Sequence, residues 1–353
     1  MSAANLHADG LAGKQTRLID FVDLFHGVGG FHIGLARCGM RCVFACDRDW
    51  RCRATYLVNF GLFPVGDIYR IPAEQVPAHH VLCAGIPCQA WSRSGSQGGV
   101  GDSRGVLHRE VLRIAGHHRP MVLLAENVPQ FESLNGGPAF QEFVQALEGW
   151  GYAVHHAVLN AAGYGVPQNR ERLYIVAIRK DVMVQPFRFP EPQEANVELA
   201  SVLEPPELAA QAATTIKKYR RVAPGRVRWD RTGKGLIKLG DVRDNTQGDR
   251  IYSPRGHSVT LTASTGGWGA GMGLYDVGGV VRRLTPKEAC RCMSFPEDFR
   301  LVFAPRVACS QLGNAVVANV VEAIMRQVFA AVGQDLPRRS VQLNENCKEG
   351  ETA

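Results

Sequence analysis

The sequence has no long apolar run and no cysteine pair of the kind that binds zinc. In 353 residues no hydrophobic stretch approaches the roughly 18 residues that span a membrane, so we expect no membrane segment. No C-x-x-C pair occurs, and the histidine doublets lack ligand spacing, which argues against a metal site. The first residues lack the apolar core of a secretory signal, so we expect a cytoplasmic chain with reduced thiols.

What is present is an ordinary globular composition, with 45% hydrophobic and 21% charged residues. The length allows one large domain or two of ordinary size, and we expect two lobes. The formal net charge of +7 is a hint of an anionic partner. Most of the ten cysteines lie in apolar runs, where a thiol behaves as a small buried hydrophobe. These are Cys38, Cys42, Cys46, Cys83, Cys290 and Cys292.

The first half of the chain alternates between strand-like and helix-like segments. Strands are predicted at 18–25, 42–47, 81–85, 121–126 and 172–178. Helices are predicted at 30–38, 49–59, 106–117 and 138–150. Such alternation predicts parallel strands with helical crossovers, hence a doubly wound α/β sheet. Ligands bind such sheets at the carboxyl ends of the strands, and the polar clusters of this sequence follow strands.

The alternation of strand-like and helix-like segments ends after Phe187, where we expect a second, smaller, irregular or β-rich lobe. Its basic run at 217–234 has eight basic residues and one acid. Helical periodicity returns with the T-P-K-E sequence at 285–288, which predicts a capped helix start. A last helix is predicted from about residue 314 to 328, followed by a flexible tail.

The first glycine-rich turn lies in the sequence FVDLFHGVGGFHIGL at 21–35. Glycines let a backbone approach a ligand and let a helix begin close to the sheet. A dinucleotide fingerprint requires a third glycine, but after Gly27 and Gly29 that position is His32. A pyrophosphate ligand is therefore disfavoured.

Two carboxylates follow later strand candidates. Asp47 lies 20 residues after Gly27, where a carboxylate accepts hydrogen bonds from a ribose. Asp67 ends a plausible third strand and is suited to an adenine amino group or a cationic ligand. A nucleoside without a pyrophosphate, such as S-adenosylmethionine, fits this set best. Tight turns of an unrelated α/β protein are the alternative.

A cysteine follows a strand in the sequence AGIPCQAWSRSG, where Cys88 comes directly after Pro87. A nucleophilic thiol acts as the thiolate, which cationic neighbours favour, and Arg170 and Arg172 are candidates for that role. The acid partner is Glu126, a charge at the end of an apolar strand. Separately, Cys88 fits a structural role and Glu126 a helix cap. Together they favour a thiol–acid site.

A thiolate, a carboxylic acid and a methyl sulfonium together suit methylation of cytosine at C5. Thiolate addition at C6, with a proton or hydrogen bond supplied at N3, makes C5 nucleophilic. Loss of the C5 proton and of the thiol then re-forms the C5–C6 double bond and restores the aromaticity of the ring. The base must leave the duplex for this chemistry, because C6 is shielded in the stack.

At this point the residues match a known family. The chain resembles the DNA (cytosine-5)-methyltransferases over about 18–330, with eight motifs in order. They are DLFHGVGGF, GDI, GIPCQAWSRSG, DSRGVL, AENV, PQNRERLYIVAI, RRLTPKEACRCMSFP and QLGNAVVANV. The resemblance implies a Rossmann-like class I methyltransferase sheet in a discontinuous catalytic domain, 18–187 plus 282–333. It also implies a target-recognition domain at 188–281, between flexible tails at 1–17 and 334–353.

The resemblance also implies roles for individual residues. Cys88 is the nucleophile, Glu126 acts at N3, and Arg170 and Arg172 support the flipped base and the catalytic loop. The expected contacts to S-adenosylmethionine, which leaves as S-adenosylhomocysteine, are Phe25, Gly27, Gly29, Gly30, Asp47, Asp67, Ile68, Pro87, Leu107 and Asn314. The chain departs from the family where Asp47 replaces Glu, where Arg48 replaces an apolar or aromatic residue, and where Ile86 replaces Phe.

The sequence at 246–262 is similar to the recognition segment of the bacterial restriction–modification methyltransferases that modify the inner cytosine of GCGC. Arg is suited to guanine O6 and N7, and Gln to the gap left by the flipped base or the orphan guanine. Ser264 stands where that subgroup has an aromatic residue. The basic run at 217–234 is either a phosphate-binding or a solvated loop. The predicted DNA contacts are Gln89, Ser92, Ser94, Gln247, Arg250 and Thr260.

The resulting interpretation is a monomeric, metal-free enzyme that acts on double-stranded DNA beside a cognate restriction endonuclease. It is expected in the cytoplasm, at the bacterial nucleoid when bound to DNA. One alternative is the same chemistry on transfer RNA, and another is an inactive DNA-binding regulator. A thiol hydrolase or redox enzyme is a third, but no His base or resolving Cys is placed beside Cys88 by the sequence.

Overall fold

The computed structural model describes residues 18–87, 106–193, 197–210, 220–221, 235–242, 249–263 and 270–334. Within them the strands are β1 Asp20–Leu24, β2 Arg41–Cys46, β3 Val81–Gly85, β4 Val122–Asn127, β5 Tyr152–Asn160, β6 Glu171–Arg179, β7 Arg220–Arg221, β8 Lys238–Asp241, β9 Arg250–Tyr252, β10 Leu274–Val277 and β11 Val280–Arg282. The helices are α1 Gly30–Arg37, α2 Trp50–Phe60, α3 Leu107–His118, α4 Gln130–Ser133, α5 Pro138–Gly149, α6 Pro206–Ala209, α7 Pro286–Cys292, α8 Pro305–Asn314 and α9 Ala318–Ala331. The predicted tails lie outside these residues apart from Gln334.

The larger sheet has the strand order β2-β1-β3-β4-β6-β5. The first four strands are parallel, as predicted, because helices cross over between them. The prediction that the strand at 172–178 is also parallel is wrong. This strand, β6, runs antiparallel to both β4 and β5. The reason is β5, which the sequence analysis missed: α5 crosses over to β5 at the edge, and β6 then returns between β5 and β4.

Both faces of this sheet are covered, which gives the three layers of a doubly wound α/β fold. Alternate residues of β1 point to opposite faces. Phe21 belongs to a buried cluster with Phe31 of α1, and Val22 to a second cluster with Val111 of α3 and Phe143 of α5. Continuous apolar strands are expected of a sheet that is buried on both sides.

The glycines of α1 allow the last helix to pack directly on it. A Cβ atom at Gly30 would overlap the Val316 carbonyl, and one at Gly34 would overlap Val321 and the Ala318 carbonyl. The contact joins the beginning of the sheet to α9, close to the end of the described chain. The proposed discontinuous catalytic domain depends on this type of contact, although its boundaries stay a prediction.

The last helix begins later than predicted. Asn314 is the final residue of α8, and α9 begins at Ala318, because Ala315 and Val317 have extended backbones. The whole stretch Pro305–Ala331 is apolar and long enough, by length and composition, to cross a membrane. The extended residues divide it, however, and 67% of its apolar window is buried inside the protein. It is therefore accounted for as core.

A second sheet, β11-β10-β9-β8-β7, forms the smaller lobe and confirms its β-rich character. Its own buried cluster is small, with Ile251, Leu274 and Val281. Other residues of this lobe, such as Tyr275 and Leu261, belong to the core of the larger lobe. The smaller lobe is thus stabilised largely by packing on the larger one.

The start of α7 confirms the predicted capping box. The Thr285 hydroxyl accepts the Glu288 amide at 3.1 Å, and the Glu288 carboxylate accepts the Thr285 amide at 2.8 Å. Glu288 also forms a fully buried ion pair with Arg282 at 2.6 Å. Sequence analysis anticipated the cap but not this ion pair.

Candidate active site

A cleft of about 590 Å³ lies at the carboxyl ends of the first four strands. Its lining comes mainly from the carboxyl ends of β2, β3 and β4, from the residues that follow β1, β2 and β3, from the start of β6, and from the last two residues of α8. The lining residues are Phe25, Gly27, Cys46, Asp47, Arg48, Asp49, Cys52, Gly66, Asp67, Ile68, Tyr69, Gly85, Ile86, Pro87, Leu107, Glu126, Arg170, Arg172, Gly313 and Asn314. The cleft occupies the position where doubly wound sheets bind ligands.

The glycine turn after β1 has a backbone that ordinary residues rarely adopt. Phe25 and Gly27 both have φ of 55°, and both line the cleft. Gly29, with φ of 92°, and Gly30 do not line it. Side chains there would overlap the Phe60 ring and the Val316 carbonyl, respectively. Of the four predicted contacts in this turn, the structure therefore brings two to the cleft and places two in packing contacts.

Asp47, directly after β2, binds the glycine turn that follows β1. One carboxylate oxygen accepts the Gly27 amide at 2.9 Å, and the other accepts the Asp49 amide at 2.8 Å. Burial raises the pKa of this carboxyl to about 6, although these hydrogen bonds oppose the rise. Each oxygen has a second lone pair that can accept a hydroxyl of a ligand.

Asp67 and Ile68 form the adjacent wall, but the predicted third strand before them is wrong. Val65 makes only an isolated bridge to Cys46. Asp67 instead caps a short 3-10 helix and accepts the Tyr69 amide at 3.2 Å. An Asp side chain that accepts the amide two residues later stabilises a turn, and this local bond competes with an extended strand. Tyr69, which sequence analysis missed, lines the cleft with 52% of its side chain exposed.

At the other end of the cleft, Glu126 forms an ion pair with Arg172 at 3.1 Å. The two strands that carry them, β4 and β6, are neighbours, which brings the residues together as expected. Burial raises the pKa of Glu126, and the nearby charges of Arg172 and Arg170 only partly oppose it. A carboxyl of this kind retains its proton at a higher pH than usual and can act as an acid.

The segment that leads into Cys88 begins beside the backbone of Glu126. Gly85 of β3 is paired with Glu126, and the Ile86 amide donates to the Glu126 carbonyl at 3.1 Å. Pro87 then lines the cleft. The profile of the C-5 cytosine-specific DNA methylases matches residues 19–330 of the chain.

This chain belongs to the C-5 cytosine-specific DNA methylase family.

The similarity to curated relatives extends over nearly the whole chain. The type II methyltransferase M.HhaI of Haemophilus parahaemolyticus is 38% identical over 319 residues, which cover 90% of this chain and 97% of the relative. The type II methyltransferase M.NlaX of Neisseria lactamica is 33% identical over 322 residues, with 89% and 97% covered. The protein is therefore a DNA (cytosine-5)-methyltransferase with relatives among the type II enzymes.

Solved structures show the same fold at low sequence identity. The methyltransferase EhMeth of Entamoeba histolytica is 17% identical with a TM-score of 0.65, and 89% of this chain and 98% of that chain are covered. The Dnmt2 methyltransferase of S. pombe is 18% identical with a TM-score of 0.65, and the coverage is 89% and 99%. These two similarities support the fold assignment.

Several predicted residues of the methylase lie outside the described ranges. They are Cys88, Gln89, Ser92, Ser94, Gln247 and the basic run apart from two residues of β7. Arg250 is described: it begins β9 opposite Asp241 and is partly exposed. Thr260 is also partly exposed, but its hydroxyl donates to the Asn169 carbonyl at 2.6 Å, so the hydroxyl can only accept a further hydrogen bond.

The buried cysteines differ from an activated thiol. Cys38, Cys46, Cys83, Cys290 and Cys292 are buried as predicted, while Cys42 is only partly buried. Burial raises the pKa of each of these thiols. Among the described residues, no group of three or more His, Cys, Asp or Glu side chains is arranged to hold a metal ion.

Proposed function

We propose that this methylase transfers a methyl group from S-adenosylmethionine to C5 of a flipped-out cytosine in a GCGC duplex, through a transient bond between Cys88 and C6. The supporting observation is the Glu126–Arg172 pair, which lies beside the strand end leading into Cys88 and in one cleft with Asp47. The cleft thus joins an acid suited to a pyrimidine with a carboxylate suited to a nucleoside.

The donor end of the cleft fits S-adenosylmethionine in its chemistry. Asp47 retains lone pairs for ribose hydroxyls, and Asp67 can accept the adenine amino group. Ile68 and Phe25 offer apolar surface to the base, while Pro87, Leu107 and Asn314 complete the set. When bound, this cofactor supplies an electrophilic methyl group.

The protein groups then make cytosine C5 nucleophilic. The Cys88 thiolate forms a bond to C6 and breaks the C5–C6 double bond, whose electron pair shifts through C5 and C4 towards N3. N3 takes a proton or hydrogen bond from Glu126, which leaves C5 as the nucleophilic carbon of an enamine. Arg172 orients the Glu126 carboxyl. After methylation, loss of the C5 proton to solvent re-forms the double bond and expels the thiolate, and N3 returns its proton.

The choice of GCGC is supported by the recognition segment at 246–262. Arg250 is the proposed guanine contact, with Gln247 at the flipped-out position and the basic run at 217–234 on phosphates. Catalytic and recognition parts correspond to 18–187 plus 282–333 and to 188–281. We further propose a cytoplasmic monomer that protects sites of a cognate restriction endonuclease.

The test is trapping on a GCGC duplex with 5-fluorocytosine at the inner position. The C5 fluorine cannot leave as a proton does, so the wild-type protein should form a covalent complex only when S-adenosylmethionine is present to methylate C5. Cys88→Ser should form none, while Cys42→Ser, at a partly buried thiol away from the cleft lining, should behave as wild type. Trapping by Cys88→Ser, or methylation of transfer RNA but not of the duplex, would overturn the proposal.

A further inference from the structure

The segment at 258–262, at the end of the proposed recognition segment, is hydrogen-bonded to the catalytic lobe, in addition to one bond from the Val259 amide to the Tyr275 hydroxyl of β10 at 3.1 Å. It runs beside residues 167–170, which lead into β6. The Ser258 amide donates to the Pro167 carbonyl at 2.7 Å, and the Asn169 amide donates to the Ser258 carbonyl at 3.0 Å. The segment is therefore held against the loop that carries Arg170 and leads into the strand of Arg172.

Gln168 reinforces this contact from within the core. Its side chain is fully buried. The side-chain oxygen accepts the Leu261 amide at 3.1 Å, and the side-chain nitrogen donates to the Cys292 carbonyl at the end of α7 at 2.9 Å. Leu261 is thus fixed at its amide.

Arg170 fixes the same residue at its carbonyl and extends the connection to the donor end of the cleft. One terminal nitrogen donates to the Leu261 carbonyl at 2.7 Å. The other donates to the Gly313 carbonyl at 3.1 Å and to the Ala315 carbonyl at 2.8 Å. These two carbonyls flank Asn314, which lines the cleft. Arg170 is 3% exposed, so its two terminal nitrogens are bonded to these carbonyls and not to solvent.

The junction is tightly packed as well as hydrogen-bonded. A Cβ atom at Gly313 would overlap the Thr262 backbone. The absence of a side chain therefore lets the end of α8 contact the 258–262 segment directly. A shift on either side of this contact cannot be absorbed by a flexible side chain, because both sides are backbone.

We propose that Arg170 is a positioning residue that holds the recognition segment against the donor wall. Sequence discrimination and affinity for the methyl donor then depend on one guanidinium. This inference rests on the proposed function, since it takes 246–262 as the DNA-reading segment and Asn314 as a donor contact. It assigns Arg170 a role through backbone carbonyls, unlike Arg172, which acts on Glu126.

The test compares Arg170→Lys with Arg179→Lys, at the opposite end of β6. A lysine ammonium is a compact point charge and cannot reproduce the planar fork of arginine across three carbonyls. Arg170→Lys should raise KM for S-adenosylmethionine and lower the preference for GCGC over duplexes with one altered base pair, each by about tenfold, which is within the usual range of coupling between sites. Arg179→Lys should change neither.

The outcomes separate this inference from the proposed function. If wild-type protein fails to methylate GCGC, the proposed function fails. If wild type is active and Arg170→Lys lowers only kcat, with KM and preference retained, Arg170 acts at the base and the inference is wrong. Should Arg170→Lys not fold, judged by circular dichroism, Gly313→Ala must alter KM and preference together, with Gly149→Ala, whose Cβ meets open space, as its control. No change in Gly313→Ala would likewise refute the inference.

Discussion

Replacing Glu126 with Gln is the most direct test of the acid in the cleft. The change keeps the shape of the side chain and removes its proton and its charge. General acid catalysis contributes about 100- to 10,000-fold in rate. The amide of Gln can still donate a hydrogen bond to N3, so we expect a loss of kcat near the lower limit, about 100-fold, or about 2.7 kcal/mol of activation free energy.

The stability of the variant decides whether that loss can be interpreted. Glu126→Gln leaves Arg172 without its ion pair at 3.1 Å, but this guanidinium lines the cleft and also donates to the Glu171 carbonyl at 2.7 Å. We therefore expect a loss of about 1–3 kcal/mol in the free energy of unfolding, as for a single unsatisfied donor. Native domains typically have a free energy of unfolding of about 5–15 kcal/mol, so the variant should remain folded.

The assay is single-turnover transfer of a tritiated methyl group to a GCGC duplex, with Glu297→Gln as the control. Glu297 is an exposed carboxylate paired with Arg291 at 2.8 Å, so its replacement should leave the rate unchanged. Wild-type turnover by a folded Glu126→Gln protein would refute the assignment of an acid to this position.

Three further predictions follow from the charges. Because the proposed mechanism uses the protonated form of Glu126, methyl transfer should decline as pH rises through the pKa of Glu126. Arg172→Gln removes a charge that lowers this pKa, so the decline in the pH–rate profile should move to higher pH. Asp47 has a pKa of about 6 and accepts hydrogen bonds as the carboxylate, so calorimetry should show affinity for S-adenosylhomocysteine falling as pH drops through 6, and Asp47→Asn should bind weakly at every pH. Glu288→Gln leaves the buried charge of Arg282 without its anionic partner, so urea denaturation should show a loss of about 3–5 kcal/mol in the free energy of unfolding.

Much of the fold could be predicted because its signals are local. Apolar β-branched runs gave β1, β3 and β4, and the strand-end polar residues led to Asp47 and Glu126. The edge strand β5 was not predicted because apolar and polar residues alternate only weakly in it. It also includes the polar pair His155 and His156, so it lacks the apolar run of a central strand. Without β5, the antiparallel direction of β6 could not be inferred.

The rest of the site depends on contacts between residues that are distant in sequence. No local pattern indicates that Arg170 donates to Leu261 and to the end of α8, because the partners are brought together only by the packing of the two lobes. Tyr69 was missed because a single aromatic residue after a G-D-I motif has no distinctive signal. The clearest local pattern, a charge near the end of an apolar strand, led to Glu126 as a candidate.

The contact between Gly30 and Val316 has a consequence for biosynthesis. The helix that follows the glycine turn is packed against Val316, which is distant in the sequence, and the cleft also includes Asn314. A nascent polypeptide therefore cannot complete this cleft until the ribosome has released residues 313–316. A premature stop codon before residue 313 is therefore expected to abolish methylation.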